Sequence, residues 1–523
     1  MKSEVCIILD HILFLLSAAV ILLLLVCSLT YCGNVDFSTY TEKIQYVHCS
    51  WKHAVWFVLL TGLCAFLMKA LSKVLNRRRT VVIILLSTLL VIIASCVWTR
   101  VNPYQPVYDQ EAVWNGIVAF AGKEYKDISK DYFTTYPYQG RTVVLLGSIL
   151  GFFQCANMET FHIINIAAAG MIVVGVAMIS QSLFESDLIT AVTAILTACF
   201  LPIVIYTAYI YGTLLSTGLI MLAFVFLTRF LVSGRWSWTV GMAILIPLAY
   251  CIYSGSLIAA IACTMILIWK ALDALRKGKK AFFAHALSSA VVMILLTVGV
   301  SQFTARTFSE YSGIPKDGGV PSTAWVLMGI SSDGPYVPCG PGGYDGSNVA
   351  IYEQAGRNSE VAKKIAMEQI RSVGKQYAHG ERSVSFFIRK IRNEWTDPWF
   401  SSAVATVYLW DNSIALPENL RSFLTGHVVR RIESGLSVYC TGIYALAFIG
   451  VLYIVKQKKK NMEEKLDKLA ILLYFMGGFF FYILWESKPR YCFPYFISLI
   501  PFAAYGMSVL MNVFYERKQR VIT

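Results

Sequence analysis

The chain has 523 residues, 57% of them hydrophobic and only 15% charged, with a mean hydropathy of +0.59. A soluble globular domain carries about a quarter charged residues, so this composition excludes an ordinary water-soluble enzyme. The formal charge of +14 does not point to nucleic acid, because Lys and Arg cluster in short runs between apolar segments, where membrane topology places them.

Apolar runs near 9–31, 54–71, 80–98, 161–181, 188–206, 212–231, 237–252, 255–271, 282–303, 436–456, 468–485 and 490–512 predict an all-α polytopic membrane protein of about twelve transmembrane helices. The first run is longer than a secretory h-region and lacks a small-residue cleavage site, so it reads as an uncleaved span. One further run, 142–155, is short for a crossing.

Loop charge tests that choice. With 142–155 not crossing and the N-terminus cytoplasmic, the short inner loops hold Lys73 and Arg77 to Arg79, Arg229 and Arg235, Arg276, Lys277, Lys279 and Lys280, and Lys456 with Lys458 to Lys460. The short outer loops then hold only Lys43, Lys52, Lys488 and Arg490. A crossing at 142–155 would reverse every later loop and break the positive-inside bias. One inner loop, 182–187, goes against it with Glu185 and Asp187. The expected organisation is N-terminal transmembrane helices (1–98), a first outer segment (99–160), a central bundle (161–303), a large outer segment (304–435) and C-terminal helices (436–523).

Thirteen cysteines are scattered, mostly inside apolar runs, with no CxxC or Cys/His spacing for a metal. Cys339 is the one cysteine in a long polar segment, so no disulfide framework is expected.

The first outer segment holds Asp109, Gln110 and Glu111. Asp109, three residues after Pro106, suits a helix N-cap. It equally suits a general base facing an acceptor hydroxyl. Glu111, two residues on, would face elsewhere and ranks second. Val113, Trp114, Ile117, Val118 and Phe120 form an apolar stripe, for a helix on the membrane surface or a buried connector. The run Tyr136-Pro137-Tyr138-Gln139 follows. His162 and Asn165 read as bundle residues at one end of a span, and Tyr206, Tyr209, Tyr211 and Gly212 as interface anchors at another.

The large outer segment is Gly- and Pro-rich over 333–346, then predicts an amphipathic helix at 359–378, a basic stretch at 382–392 and an aromatic surface turn at 393–399. Between the last two spans lie Trp485, Glu486, Lys488, Arg490 and Tyr491. Glu486 and Arg490 could pair locally; alternatively Arg490, with Lys488, grips a phosphate. No P-loop, dinucleotide-binding glycine pattern, HExxH or GxSxG is present.

Together these features resemble the GT-C superfamily of membrane glycosyltransferases, in the branch of protein O-mannosyltransferases and bacterial relatives of the glycosyltransferase 39 type. The resemblance rests on Asp109, on Tyr136 to Gln139, on the Tyr-Ile-Tyr-Gly turn at 209–212, and on Trp485-Glu486 with Arg490-Tyr491. It covers most of 80–512, and the segment 304–435 matches no pattern of that family. It implies transfer of a sugar from a polyprenyl-phosphate donor to an extracytoplasmic glycan, teichoic acid, lipid or protein, with inversion, in the plasma membrane. In that scheme Asp109 is the base and Glu111 its rival, Arg490 and Lys488 hold the donor phosphate, and Gln110, Tyr138, Gln139, Tyr211, Glu486 and Tyr491 contact substrate. No covalently bound cofactor is implied, and dependence on a divalent metal is left open. A polysaccharide polymerase or ligase, or a lipid-linked sugar flippase, is the alternative; the inverted repeats common in transporters are absent from the sequence.

Overall fold

A computed structural model describes every residue except 1, 36–43, 103, 335–336, 338–339, 407–425, 458–461 and 523; side-chain surroundings are also set aside for 2–10, 462–466 and 514–522. Cys339, Lys43 and Lys458 to Lys460 therefore lie outside the described residues. Among those described, the chain is helical apart from connecting loops and one antiparallel hairpin, Tyr31–Val35 with Ile44–His48.

Among the described residues, ten helices are long and apolar enough to cross a membrane. An eleventh candidate is the broken pair Asp187–Cys199 and Pro202–Ala208, bent by 54° where Pro202 interrupts the backbone ladder. The remaining apolar run forms the 16-residue helix Ser237–Ile252. The protein is an all-helical, multi-pass membrane protein.

The long helices run between two ends of one bundle. Asn165 Nδ2, two turns into the Met158–Phe184 helix, donates to the carbonyls of Thr207 (3.2 Å) and Tyr209 (2.9 Å), so that helix starts where the broken pair finishes. Asn165 is thus a structural clasp on the 209–212 turn. The Gly140–Phe152 helix also starts at this end, where Thr142 Oγ1 donates to the carbonyls of Cys251 and Ile252. It has only 13 residues, about 20 Å, and the chain resumes at Met158 on the same end. It therefore leaves and returns without traversing the bundle.

The end that carries the described residues of 102–157 and 313–406 is termed the loop end, and the other the basic end. In the first outer segment, the Asp109–Gly122 helix buries Val113, Trp114, Ile117 and Phe120. Trp114 meets Phe161 edge-on at 5.7 Å, and Gly147 on the 140–152 helix leaves room for Phe120, whose Cβ would stand 2.9 Å from an added one. The apolar stripe of this helix is therefore buried against other helices of the protein.

The large outer segment builds helices Ser322–Ser331, Ser347–Gln354, Ser359–Ala378 and Ser385–Trp395. The first three share a small core that includes Leu327, Ile351, Ala362 and Ala366. The amphipathic expectation at 359–378 matches the third, whose N-cap Asn358 accepts from the N–H groups of Glu360 and Val361. The turn at 393–399 is not a surface feature: Glu394, Trp395, Asp397 and Trp399 are buried. The hairpin covers this region, with Gly33 N–H donating to Thr396 O (3.1 Å), Tyr46 Oη to Asn393 O (2.7 Å), and the Arg392 guanidinium 4.4 Å from the Tyr31 ring centre. The eleven described cysteines are free thiols.

Two glycines set the closest helix crossing of the C-terminal part. A Cβ on Gly506 would overlap Leu446 O and lie 2.8 Å from Gly450 N, so the backbones of His427–Lys456 and Pro489–Ile522 touch. Small residues permit this approach where no hydrophobic drive operates between helices. Gly506→Ala should cost about 1–3 kcal/mol, because backbone cannot rotate away as a side chain can. Gly442→Ala, on the opposing His427–Lys456 helix with nothing within 4 Å of the added carbon, should be silent. Equal thermal midpoints for the two variants in detergent would refute the crossing.

Candidate functional site

Asp109 is the first residue of its helix, not the cap. The N-cap is Tyr108, whose side chain makes no capping bond and whose backbone stands at φ 53°, ψ −124°. That is a costly conformation for a non-glycine residue and persists only where surrounding contacts over-determine it. Asp109 itself is exposed and sits in the first helical turn, where a negative charge complements the helix dipole. Gln110 points the other way: it is buried and donates to Tyr104 Oη at 2.6 Å, which anchors the helix start.

Facing Asp109 is a cluster of tyrosines drawn from distant parts of the chain. Burial pushes the phenols of Tyr132, Tyr136, Tyr138, Tyr211 and Tyr344 upward, and the Asp109 carboxylate adds to each. Asp109, not Glu111, is the carboxylate acting on all five. The cluster has a second charged border. Glu486 raises Tyr138, Tyr253 and Tyr344 after burial, while the Arg490 cation pulls Tyr211 and Tyr253 back down. Asp109 and Arg490 thus bracket one set of aromatic hydroxyls. Tyr138, within this cluster, keeps 39% exposure, so its ring can be reached from outside the protein.

The second border is held by specific bonds. Arg490 donates to Tyr209 Oη (2.7 Å) and lies 5.4 Å from the Tyr491 ring centre. The Glu486 carboxylate accepts from Tyr491 Oη (2.9 Å) and stands 3.6 Å from Lys488 Nζ, which is 5.7 Å from the Tyr344 ring centre. The local partners of Glu486 are thus Lys488 and Tyr491. Gln139 Nε2 donates to Tyr211 Oη. Of the residues singled out in the sequence, Asp109, Tyr138, Gln139, Tyr211, Glu486, Lys488, Arg490 and Tyr491 converge here. Gln110 turns inward, and exposed Glu111 is not drawn into the cluster.

Three supports were not legible in the sequence. Arg141 is buried and donates to Tyr138 O (3.0 Å), Ser301 Oγ (3.0 Å) and Ser254 Oγ (2.8 Å), with the Tyr250 ring centre 4.5 Å away. Its only sequence signal is a lone charge at the head of an apolar run, a pattern that marks buried function in membranes. Trp325 stacks on Trp485 at 6.1 Å and 9°, and near Tyr136 and Tyr344, so the large outer segment walls the site. Lys390, fully buried, donates to Gly329 O (2.7 Å) and to Trp485 O, tying that wall to the 485–490 turn. Burial pushes the Lys390 ammonium down and the neighbouring Glu394 carboxyl up. Among the described residues no group of three or more His, Cys, Asp or Glu side chains is gathered as metal ligands.

No protein-family model matches the chain, and no curated protein sequence matches it either.

The 206–211 turn rests on the buried 396–401 segment, where Phe400 O accepts from Tyr206 Oη and Asp397 accepts from Trp399 N–H (3.0 Å) and Ser401 N–H (2.6 Å). Burial pushes the Asp397 carboxyl up to about 6 against the pull of those two bonds. A folded-state pKa above the unfolded value of about 3.9 favours folding in the protonated form. That contribution is complete below about pH 4 and is lost as pH rises through about 6. Asp397→Asn has no such proton. Between pH 4 and 6.5 the wild type should lose roughly 2–3 kcal/mol relative to the variant, read as relative thermal midpoints in detergent. Parallel midpoints across that window would contradict the assignment.

Proposed function

We propose that the protein is a membrane glycosyltransferase of GT-C type, with twelve spans, both termini cytoplasmic and the site on the extracytoplasmic face of the plasma membrane. It moves one sugar from a polyprenyl-phosphate donor to an outer acceptor. The observation that carries this reading is the pairing of Asp109 with the Arg490, Lys488 and Glu486 group around one cluster of tyrosines at the loop end.

The Asp109 carboxylate takes the proton of the acceptor hydroxyl as its oxygen attacks the anomeric carbon. The bond from that carbon to the donor phosphate oxygen breaks, and its electron pair leaves with the phosphate. Arg490, backed by Lys488, offsets the charge that develops there, so no second carboxyl is needed to protonate the leaving group. The guanidinium suits a bidentate grip on phosphate oxygens, and Tyr209 Oη fixes its direction. Tyr138, Gln139 and Tyr211 offer hydroxyl and amide groups for the sugar.

A flippase or transporter for the same lipid-linked sugar is the second reading. The broken span bent by 54° beside Tyr206 favours it, since discontinuous helices line transporter sites. The two differ in whether a glycosidic bond forms.

Purified wild type should transfer sugar from a polyprenyl-phosphate donor; movement of donor without any new glycosidic bond would favour the transporter. Asp109→Asn keeps size and helix-start chemistry but removes the base, so turnover at saturating donor should fall about 10² to 10⁴-fold with donor binding intact. Near-normal turnover would sink the assignment, and loss in Glu111→Gln alone would move the base two residues along. Arg490→Ala should weaken donor binding, and Arg490→Lys should restore the charge without the two-point grip. Unchanged donor affinity in Arg490→Ala would reduce Arg490 to a structural partner of Tyr209.

A further inference from the structure

Across the bundle from the candidate site, at the basic end, lies a cavity of about 540 Å³ lined by six helices and by Gln457, the cap of a seventh. Its size is that of a small-molecule site. Lys270, Lys277, Lys279 and Lys468 line it, against the carboxylates of Glu185, Asp273 and Asp467, which leaves one positive charge over.

The charges are organised. Lys270 is only 8% exposed, and its Nζ stands 2.7 Å from Asp467 Oδ1, so this pair is buried and charge-balanced. Lys277 Nζ is 2.8 Å from Asp273 Oδ2. The Lys468 ammonium lies 5.7 Å from the ring centre of Phe184, which stacks on Tyr505 at 4.5 Å and 10°. Lys279 approaches from the loop before the Lys280–Ser312 helix. One wall is therefore aromatic, and ammonium groups from separate segments converge on a shared space.

A fourth observation separates a lipid from a soluble anion. Val232 lines the cavity and is also 56% exposed, on a helix long enough to span the bilayer. The cavity thus continues onto apolar surface, along which an acyl chain can leave. Basic pockets between transmembrane helices on the positive side of a membrane take phospholipid headgroups.

We infer that this cavity binds the headgroup of an anionic phospholipid, its phosphodiester among Lys277, Lys279 and Lys468 and its acyl chains against Val232. Ammonium groups gathered beside an aromatic wall suit the phosphodiester of a headgroup such as that of phosphatidylglycerol. The site lies at the opposite end from the tyrosine cluster and does not depend on the glycosyl-transfer reading.

The test uses the full chain purified in a neutral detergent, with native mass spectrometry and thermal midpoint as readouts. Phosphatidylglycerol should be retained and should raise the midpoint, whereas phosphatidylcholine should do neither. Glycerol 3-phosphate at millimolar concentration should not replace the lipid. The double variant Lys279→Gln with Lys468→Gln should bind phosphatidylglycerol about tenfold or more weakly, and Lys279→Arg with Lys468→Arg should retain it. Lys363→Gln with Lys364→Gln, on an exposed helix at the loop end, should match wild type. Equal binding of phosphatidylglycerol by the Gln pair and wild type would overturn the site. Equal retention of phosphatidylcholine would overturn the charge selectivity, and equal stabilisation by glycerol 3-phosphate would overturn the lipid. Should the Gln pair fail to fold, the comparison of the two lipids on wild type decides by itself.

Discussion

A guanidinium withdrawn from water at the mouth of a membrane bundle must be solvated by protein, because an uncompensated buried charge is among the most expensive features a fold can carry. Arg141 meets that demand with a carbonyl from the 136–141 turn, hydroxyls of Ser254 and Ser301, and the face of Tyr250. Those groups come from three separate stretches of chain, around 138, 250–254 and 301, which cannot shift independently while the arginine stays satisfied. The turn so fixed carries Tyr138 and Gln139, and Gln139 reaches Tyr211. Tyr209, two residues before, holds Arg490. The position of the Arg490 border therefore traces back to one buried cation.

The large outer segment is fastened by a similar device. Lys390 is held by two backbone carbonyls, one from the segment itself and one from the 485–490 turn. Around it, glycines admit backbone where a side chain would not fit: Gly329 against Trp485, and Gly342, at φ +75°, against the Lys390 stem. Ser487 N–H donates to Gly342 O at 2.7 Å, which completes the seam. Neither oxygen of buried Glu394 has a hydrogen-bond partner, and burial favours its neutral form. The cation of Lys390 is held by those two carbonyls as the wall closes over the tyrosines.

The two ends of the bundle differ in how they manage charge. Within the tyrosine cluster at the loop end, the charged groups Arg141, Arg490 and Glu486 are set among phenols, hydroxyls and carbonyls, which suits a site that must discriminate among polar ligands. At the basic end, lysines are numerous and lie near the surface of the helix ends, as expected where a protein meets anionic headgroups. The 140–152 helix belongs to the first arrangement: too short to cross, it brings Arg141 to the bundle and leaves again.

The amino-acid sequence by itself determined the features that depend on local pattern and length. Runs of apolar residues long enough for the bilayer had to become helices, since lipid satisfies no backbone donor or acceptor. The amphipathic period at 359–378 and the shortness of 142–155 are read from neighbouring residues alone. So is the polarity of the loops that identified Asp109 and Arg490 as residues to watch. Only the tertiary structure decided the pairings. It gave Glu486 to Lys488 and Tyr491 and brought Tyr209 to Arg490. It made Tyr108 rather than Asp109 the helix cap, buried the 393–399 turn beneath a hairpin, and placed Arg141 and Lys390 at the centre of the two seams. These depend on contacts between residues up to several hundred positions apart. Such contacts leave no periodic trace in the chain, because a buried cation and an exposed one look the same in a sequence until packing removes the water from one of them.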